Sequence, residues 1–474
     1  METAAEPRKT SGITLRDKIG YGMGDMGGTL FLGMSGSFLQ LFYTKVLHLS
    51  QVSISTLFLI LRIWDGVNDP IWGTIVDRRP AGKHGKFRPY LRNFSIPLAL
   101  CGVLLFTRVP GLSQFQYLLY AYITHILFEF FYTTTNIPLG SLASVITDDG
   151  AERSQLSVYR SIGSGVGGLP AAIILPLFIY SGSGEGKYLD PQKLFIAMLI
   201  LAAASVTIHM LAFRMITERV PPPPAEEKHS LLLTAKTLLR NRPYLAISAA
   251  SMLLSAITFY TQPVTNFLYN DYFKRPELYS LVTIATYAST PLLLPFIQKL
   301  VLRFGKKRLC AWGLVLSAAA NAAALLSRTE NPYVFMGFCF FSGLGGTFMS
   351  MELWALVTDA LDYQELLSRK REEGTCYSLF FFIRKLGQTL ANSGSPFLMH
   401  KMGYVETPDS GGTPIPVVQP PQVARRMFTI ATLVPAIIYA LIALVMAFWY
   451  PLDPKGEEEV REELRARRAA MGDG

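Results

Sequence analysis

The sequence predicts an all-α membrane protein of about twelve transmembrane helices, arranged as two six-helix halves. Three observations carry that prediction. The 474 residues are 50% hydrophobic and only 16% charged, with a mean hydropathy of +0.30, whereas a soluble domain carries about a quarter charged residues. The apolar residues fall in long runs, many of them near the ~20 residues that cross a bilayer as a helix. Basic residues crowd alternate connections, the asymmetry that orients a polytopic chain.

The opening stretch METAAEPRKTSGITLRDK carries both charge signs and no apolar core followed by a small-residue cleavage site, so it reads as a cytoplasmic tail with nothing to be cleaved. The spans then fall at 25–47, 52–76, 90–109, 114–138, 158–181, 193–215, 244–268, 278–303, 309–327, 332–357, 376–400 and 427–450. Several contain Gly or Pro, which membrane helices tolerate. Arg8, Lys9, Arg16 and Lys18, the loop DRRPAGKHGKFRP, the segment 214–242, RFGKKR and SRKRE form the basic set. Lys274, Arg275, Arg425 and Arg426 dilute the contrast on the other side. Both termini are expected in the cytoplasm of a multi-pass plasma (inner) membrane protein.

After span six, TERVPPPPAEEKHSLLLTAKTLLRNRP reads as a stiff Pro-rich stretch followed by an amphipathic surface helix. It divides the chain into an N-terminal half (1–215), a cytoplasmic linker (216–243), a C-terminal half (244–451) and a charged tail (452–474) expected to be a solvated, frayed helix. GTIVDRR after span two and VLRFGKKR after span eight are a weak internal echo of duplication.

The net charge of +10 lies in the loops, where it serves topology and not nucleic-acid binding. Cys101, Cys310, Cys339 and Cys376 sit in or beside apolar spans without CxxC or metal spacing, as buried free thiols do. Nothing resembles a phosphate-binding loop, a hydrolase triad or a metal motif, so the chain reads as no enzyme and as needing no cofactor.

The chemistry concentrates in RIWDGVNDP, residues 62–70. Asp65 and Asp69 are four apart and stack on one helix face, with Asn68 beside them. A charged Asp at mid-membrane costs roughly 2.5–3.5 kcal/mol on insertion scales, which makes such acids functional candidates by default. Two carboxylates and an amide oxygen suit a small hard cation or a shared proton, and Pro70 removes a backbone donor that frees a carbonyl to help. The plainer reading puts both acids near the cytoplasmic interface, paired with Arg62.

In GTIVDRRPAGKHGKFRP, Gly73, Asp77 and Arg78 form a G-x-x-x-D-R pattern, with Asp77 accepting hydrogen bonds at helix ends and Arg78 pinning neighbouring helices. Thr133 and Asn136 in FEFFYTTTNIPLGSL face the bundle axis, unless the hydroxyls bond back to their own helix. Glu129 is a buried acid without an identified partner, and His125 reads as a satisfied helix histidine. Arg160 opens span five. Arg384 and Lys385 lie inside span eleven, diverging by ~100°, so at most one points straight at a central cavity. Asp359, Asp362 and Glu365 at the cytoplasmic end of span ten read as a gate network with the basic loops.

The motifs KIGYGMGDMGG, LQLFYTKVL, RIWDGVNDPIWGTIVD, GKFRPYL, NIPLGSL and DALDYQE resemble the glycoside–pentoside–hexuronide cation symporters, a branch of the major facilitator fold, from about Lys18 to Pro451. That resemblance implies that Asp65, Asn68 and Asp69 bind the coupling cation with help from Thr133; if the ion is Na⁺, Asp65 and Asp69 are metal ligands. It also implies that Lys385 lies between the cation and sugar sites and that Arg160 lines the sugar site.

Melibiose-type members grip sugar hydroxyls with two aspartates whose aligned positions here are Thr29 and Asn136. With Arg160, Arg384 and Lys385 retained, three cations face two acids, a balance that suits an anionic sugar. NIPLGSLA, LLRNRP, LWAL, FFIRKLGQ and FWYPL resemble the glucuronide-carrier subgroup in particular. Trp64, Tyr132 and Trp354 are the candidates to stack on a sugar ring. The expected function is import of a glycoside, a glucuronide, with H⁺ or Na⁺ by alternating access, the chain working as a lipid-embedded monomer. The alternatives are a neutral melibiose- or lactose-type disaccharide symporter and, more distantly, a sodium-coupled lysolipid carrier.

Overall fold

The computed structural model describes residues 12–147, 149–183, 187–220, 237–368, 373–406 and 417–472. Helix α1, Leu15–Met34, opens on a capping box: Thr14 accepts from the Asp17 N–H, and Asp17 reaches back to the Thr14 N–H. It runs on through a π-helical turn, Ser35–Leu39, into Gln40–Lys45. Helix α2, Gln51–Arg78, is capped by Ser50 and is continuous through position 70. Helix α3, Arg88–Leu105, starts over the Glu218 carboxylate, which accepts from the N–H groups of Lys86, Phe87 and Arg88 at 2.7, 2.9 and 2.8 Å. Helices α4, Gln114–Ile146, and α5, Gly150–Ile173, follow. A short hairpin pairing Tyr180–Ser181 with Tyr188–Leu189 then leads to α6, Pro191–Met215.

Helix α7, Arg242–Phe267, is capped by Asn241 and also continues into a π-helical turn, Leu268–Tyr272. Helix α8, Tyr279–Leu293, meets the shorter Ile297–Phe304 at a bend of 67°. Next come α9, Lys306–Ser327, α10, Pro332–Ser368, α11, Glu373–Lys401, and α12, Pro421–Leu444, which ends in a third π turn, Val445–Trp449. Helix α13, Pro454–Gly472, closes the described chain.

Length and composition alone qualify five of these helices as spans, or six if α8 and its bent continuation count as one. The five are α6, α7, α9, α10 and α12. Helices α2, α4, α5 and α11 carry the acids, threonines and cations of the central site.

Two groups of helices emerge from the packing. Helix α1 lies against α5 and α6, α3 against α4 and α6, and α2 against α4. In the second group α7 packs on α10, α11 and α12, α9 on α10 and α12, and α8 on α10. The groups meet where α2 lies against α11 and α5 against α8. Small residues permit the tightest crossings, as expected where lipid removes the usual hydrophobic drive between helices. A Cβ at Gly163 of α5 would collide with the Gly22 carbonyl of α1, and one at Gly313 of α9 would stand 2.6 Å from the Gly345 oxygen of α10.

Contacts between the groups also seal one end, where the chain turns between Lys45 and Gln51. Asn266 Nδ2 donates to the Ser37 carbonyl at 2.7 Å, and Lys45 Nζ pairs with Asp271 at 2.7 Å. Tyr404 donates to the same Asp271 carboxylate at 2.6 Å, and the Gln51 N–H donates to Glu406 at 2.8 Å.

The tail differs from its expectation as a solvated helix. Val460 and Leu464 of α13 are buried in the main core, and Arg467 donates to the Leu366 carbonyl of α10 at 3.2 Å. The charged composition hid two apolar side chains spaced i,i+4, enough for one sticky face. Most of the expected linker, including the Pro-rich stretch, lies outside the described residues. Its start is anchored, with Arg219 paired to Asp17 at 2.7 Å.

Candidate functional site

A cavity of about 1210 Å³ lies between the two groups, lined by residues of both. On α2 the i,i+4 spacing of Asp65 and Asp69 turns both carboxylates towards it. Asp65 is 7% exposed; its Oδ2 accepts from Arg62 Nη1 at 2.9 Å, and its buried Oδ1 has no partner among the described residues. Asp69 accepts from Thr133 Oγ1 of α4 at 3.1 Å and forms an ion pair with Lys385 Nζ of α11. Asn68 is buried beside them, with Nδ2 also without a partner.

A second polar cluster sits further along α4. Arg160 of α5 donates from Nε to Asp25 of α1 at 3.1 Å and from Nη2 to Asn136 Oδ1 at 2.9 Å. Asn136 Nδ2 in turn donates to the Tyr132 hydroxyl at 2.7 Å. Thr29 lines the cavity, but its hydroxyl donates back to the Asp25 carbonyl at 3.0 Å. That is the local bond threonines make in membrane helices. One turn before Thr133, Glu129 faces His125 Nε2 at 3.6 Å, and both line the cavity.

The structure thus brings Asp65, Asp69, Thr133, Asn136, Arg160, Lys385 and Thr29 to one cavity, while Asn68 is buried beside the acids on α2 without lining it. It does not bring Arg384 or Trp64. Arg384 follows the ~100° divergence from Lys385: its Nε donates to Ser255 at 3.2 Å and its guanidinium lies 5.5 Å over the Trp354 ring. Trp64, adjacent to Asp65, points off the cavity face for the same reason, and its buried Nε1 has no partner among the described residues. Of the three aromatic candidates, only Tyr132 lines the cavity.

Of the gate residues, Asp359 of α10 pairs with Lys306 of the basic RFGKKR run, and Lys306 also pairs at 3.0 Å with Glu457 of α13. Asp362 is half-buried on the same face of α10, and Arg78 is exposed at the end of α2. The Asp77 side chain lies outside the described residues.

Sequence reasoning missed Asp25, and it left Glu129 without a partner although His125 stands one turn away. Asp25 was visible as an acid inside the Gly-rich apolar stretch GYGMGDMGG. These two residues, together with Arg62, revise the charge count. Three cations (Arg62, Arg160 and Lys385) meet four acids (Asp25, Asp65, Asp69 and Glu129), where the sequence reading set three cations against two acids.

Comparison with known proteins agrees with this architecture. The family model described as MFS/sugar transport protein matches residues 20–454. An uncharacterized symporter of Bacillus subtilis (strain 168) is 30% identical over 461 residues, 96% of this chain and 96% of its own. A glucuronide carrier protein homolog of Escherichia coli (strain K12) is 28% identical over 458 residues, again 96% of each. Among solved structures, the nucleoside transporter NupG superposes with a TM-score of 0.60 at 14% identity, covering 91% of this chain and 99% of that one, a likeness of fold alone.

Proposed function

The chain belongs to the MFS/sugar transport protein family, as a multi-pass membrane transporter among sugar and glycoside cation symporters and not an enzyme. From that premise we propose that it imports a glucuronide, coupled to inward movement of H⁺ or Na⁺. The observation that carries this reading is Asp69, which touches Thr133 on one side and Lys385 on the other within a cavity that also exposes Arg160.

A cation entering at Asp65 and Asp69, with Thr133 and the Asn68 amide as neutral ligands, competes with Arg62 and Lys385 for the carboxylates. Once Asp69 is neutralised, the Lys385 ammonium loses its partner and turns to the substrate's oxygens. Substrate and cation thereby favour each other's binding. The Arg160–Asn136–Tyr132 cluster supplies donors for sugar oxygens and one aromatic face for the ring. With the basic loops and both termini in the cytoplasm of the inner membrane, the sealed end faces outward and the site is offered inward. The halves 1–215 and 244–451, joined by linker 216–243, then rock about this midplane site, in a protein that works as a monomer. Inward movement of one positive charge gains about 2.3 kcal/mol per 100 mV.

A second reading, a neutral glycoside, draws support from the revised charge count. Asp25 already neutralises Arg160, and Arg384 stands away from the cavity. Uptake of radiolabelled phenyl glucuronide and phenyl glucoside into membrane vesicles, under an imposed Na⁺ or pH gradient, decides between the two. Gradient-driven accumulation of the glucuronide over the glucoside is expected; the reverse order transfers the proposal to the neutral sugar, and no accumulation of either removes it.

A further inference from the structure

Away from the central cavity, a second hollow of about 910 Å³ runs between α9 and α12. Its floor is alanine, with Ala311, Ala318 and Ala322 of α9 facing Ala440, Ala443 and Ala447 of α12. Its rim is bulky and turned outward: Trp312, Leu444 and Phe448 are 57, 52 and 81% exposed. In a membrane protein this surface faces acyl chains, and an apolar trough there is filled by lipid.

The mouth is charged. Lys307 and Arg308 line it on the first turn of α9, a helix that starts at Gly305 without a side-chain cap, so its first N–H groups add positive potential. Asp453 also lines the mouth, its Oδ1 accepting from the Gly456 N–H at 2.9 Å and its charge facing Lys307, so Arg308 and the helix N-terminus leave the mouth net positive. From Lys307 to Ala322 the helix rises about 22 Å, more than the ~15 Å hydrocarbon depth of one leaflet. An acyl chain therefore fits lengthwise with its phosphate at the mouth.

We propose that the furrow between α9 and α12 holds one anionic glycerophospholipid, its phosphate at Lys307 and Arg308 and an acyl chain along the alanines. Basic pockets between membrane helices near the surface suit anionic head groups. A second copy of the chain is the competing occupant, and charge argues against it. A two-fold axis along the membrane normal would set Lys307 and Arg308 of one copy against the same cations of the other at the same depth.

The test is native mass spectrometry, with thermal unfolding, of the full-length protein in a neutral detergent titrated with phosphatidylglycerol or phosphatidylcholine of identical acyl chains. One retained phosphatidylglycerol is expected, bound about five- to twenty-fivefold more tightly than phosphatidylcholine, roughly fivefold for each cation near a membrane surface that Asp453 leaves unneutralised. Lys307→Gln with Arg308→Gln should abolish that preference while leaving phosphatidylcholine binding in place. Ala318→Leu with Ala440→Leu should block both lipids. The charge variants, at half-buried Lys307 and exposed Arg308, keep the test open if the alanine variants do not fold. Equal retention of the two lipids, a preference that survives the charge variants, or a lipid-free dimer buried through this face overturns the proposal.

Discussion

Replacing Arg160 and Arg384 one at a time should separate a substrate-facing cation from a structural one, although both lie in apolar sequence. Arg160 is 32% exposed into the cavity and holds Asp25 and Asn136, whereas Arg384 is turned to Ser255 and Trp354. A hydrogen bond to a charged partner contributes about 1.5–3 kcal/mol, against about 0.5–1.5 for a neutral pair. Arg160→Ala is therefore expected to lower glucuronide uptake about 10- to 150-fold and glucoside uptake about 2- to 12-fold. Arg384→Ala should reduce both alike, through the loss of roughly 0.5–2 kcal/mol of cation–π packing. The complication is Asp25, which Arg160→Ala strands at 9% exposure. Removing one partner of a buried pair costs ~3–5 kcal/mol, less here because Arg160 is partly solvated. Asp25→Asn with Arg160→Ala removes that penalty, restoring thermal stability in detergent without restoring glucuronide preference. The assay is initial-rate uptake of the paired phenyl glycosides in vesicles, normalised to folded protein. If Arg160→Ala scales both sugars by one factor, or Arg384→Ala is the variant that discriminates, the assignment of Arg160 to the substrate is wrong.

Other expectations follow from single contacts. Asp69→Asn keeps an oxygen for Thr133 but removes the negative charge that pairs with Lys385, so gradient-driven accumulation should disappear while substrate exchange persists; concentrative uptake at the wild-type level would remove Asp69 from the coupling site. Gly163→Ala should cost about 1–3 kcal/mol by pressing α5 off the Gly22 carbonyl. Gly337→Ala, with nothing within 4 Å, should be neutral or stabilising by up to ~1 kcal/mol; equal melting temperatures for the two variants would contradict that packing. Asp271→Asn breaks the ion pair to Lys45 at the sealed end. It should raise labelling of a cysteine placed at Gln262, within the cavity, from the outer side of intact cells; unchanged labelling would show that the pair does not latch that end.

The site residues were legible to the extent that local spacing decides which way a side chain points. Asp65 and Asp69 share a face because four residues are a little more than one helical turn, and Thr133 and Asn136 likewise share a face of α4. The divergence of Arg384 from Lys385 was legible too, but not which of them would take the cavity. That depended on how α11 is rotated against α2, fixed by the Lys385–Asp69 pair and by the Ser255 hydroxyl waiting for Arg384. Asp25 escaped because its meaning comes from a partner 135 positions along the chain. Asp359 had several basic loops to choose from, and the packing of α9 on α10 decided that it meets RFGKKR, through Lys306.

What the sequence determined by itself was a helical membrane transporter with its chemistry near Asp65. Apolar run length, alternate basic loops and i,i+4 acids are local properties, each fixed by helix geometry or by the cost of charge in lipid. Tertiary structure alone decided the electrostatics of the site. Arg62 and Asp65 pair within α2 and His125 faces Glu129 within α4, but only when α1, α2, α4, α5 and α11 meet do Asp25 and Arg160, and Asp69 and Lys385, find each other. A buried charge is stable only where such a partner or a hydrogen bond offsets its desolvation.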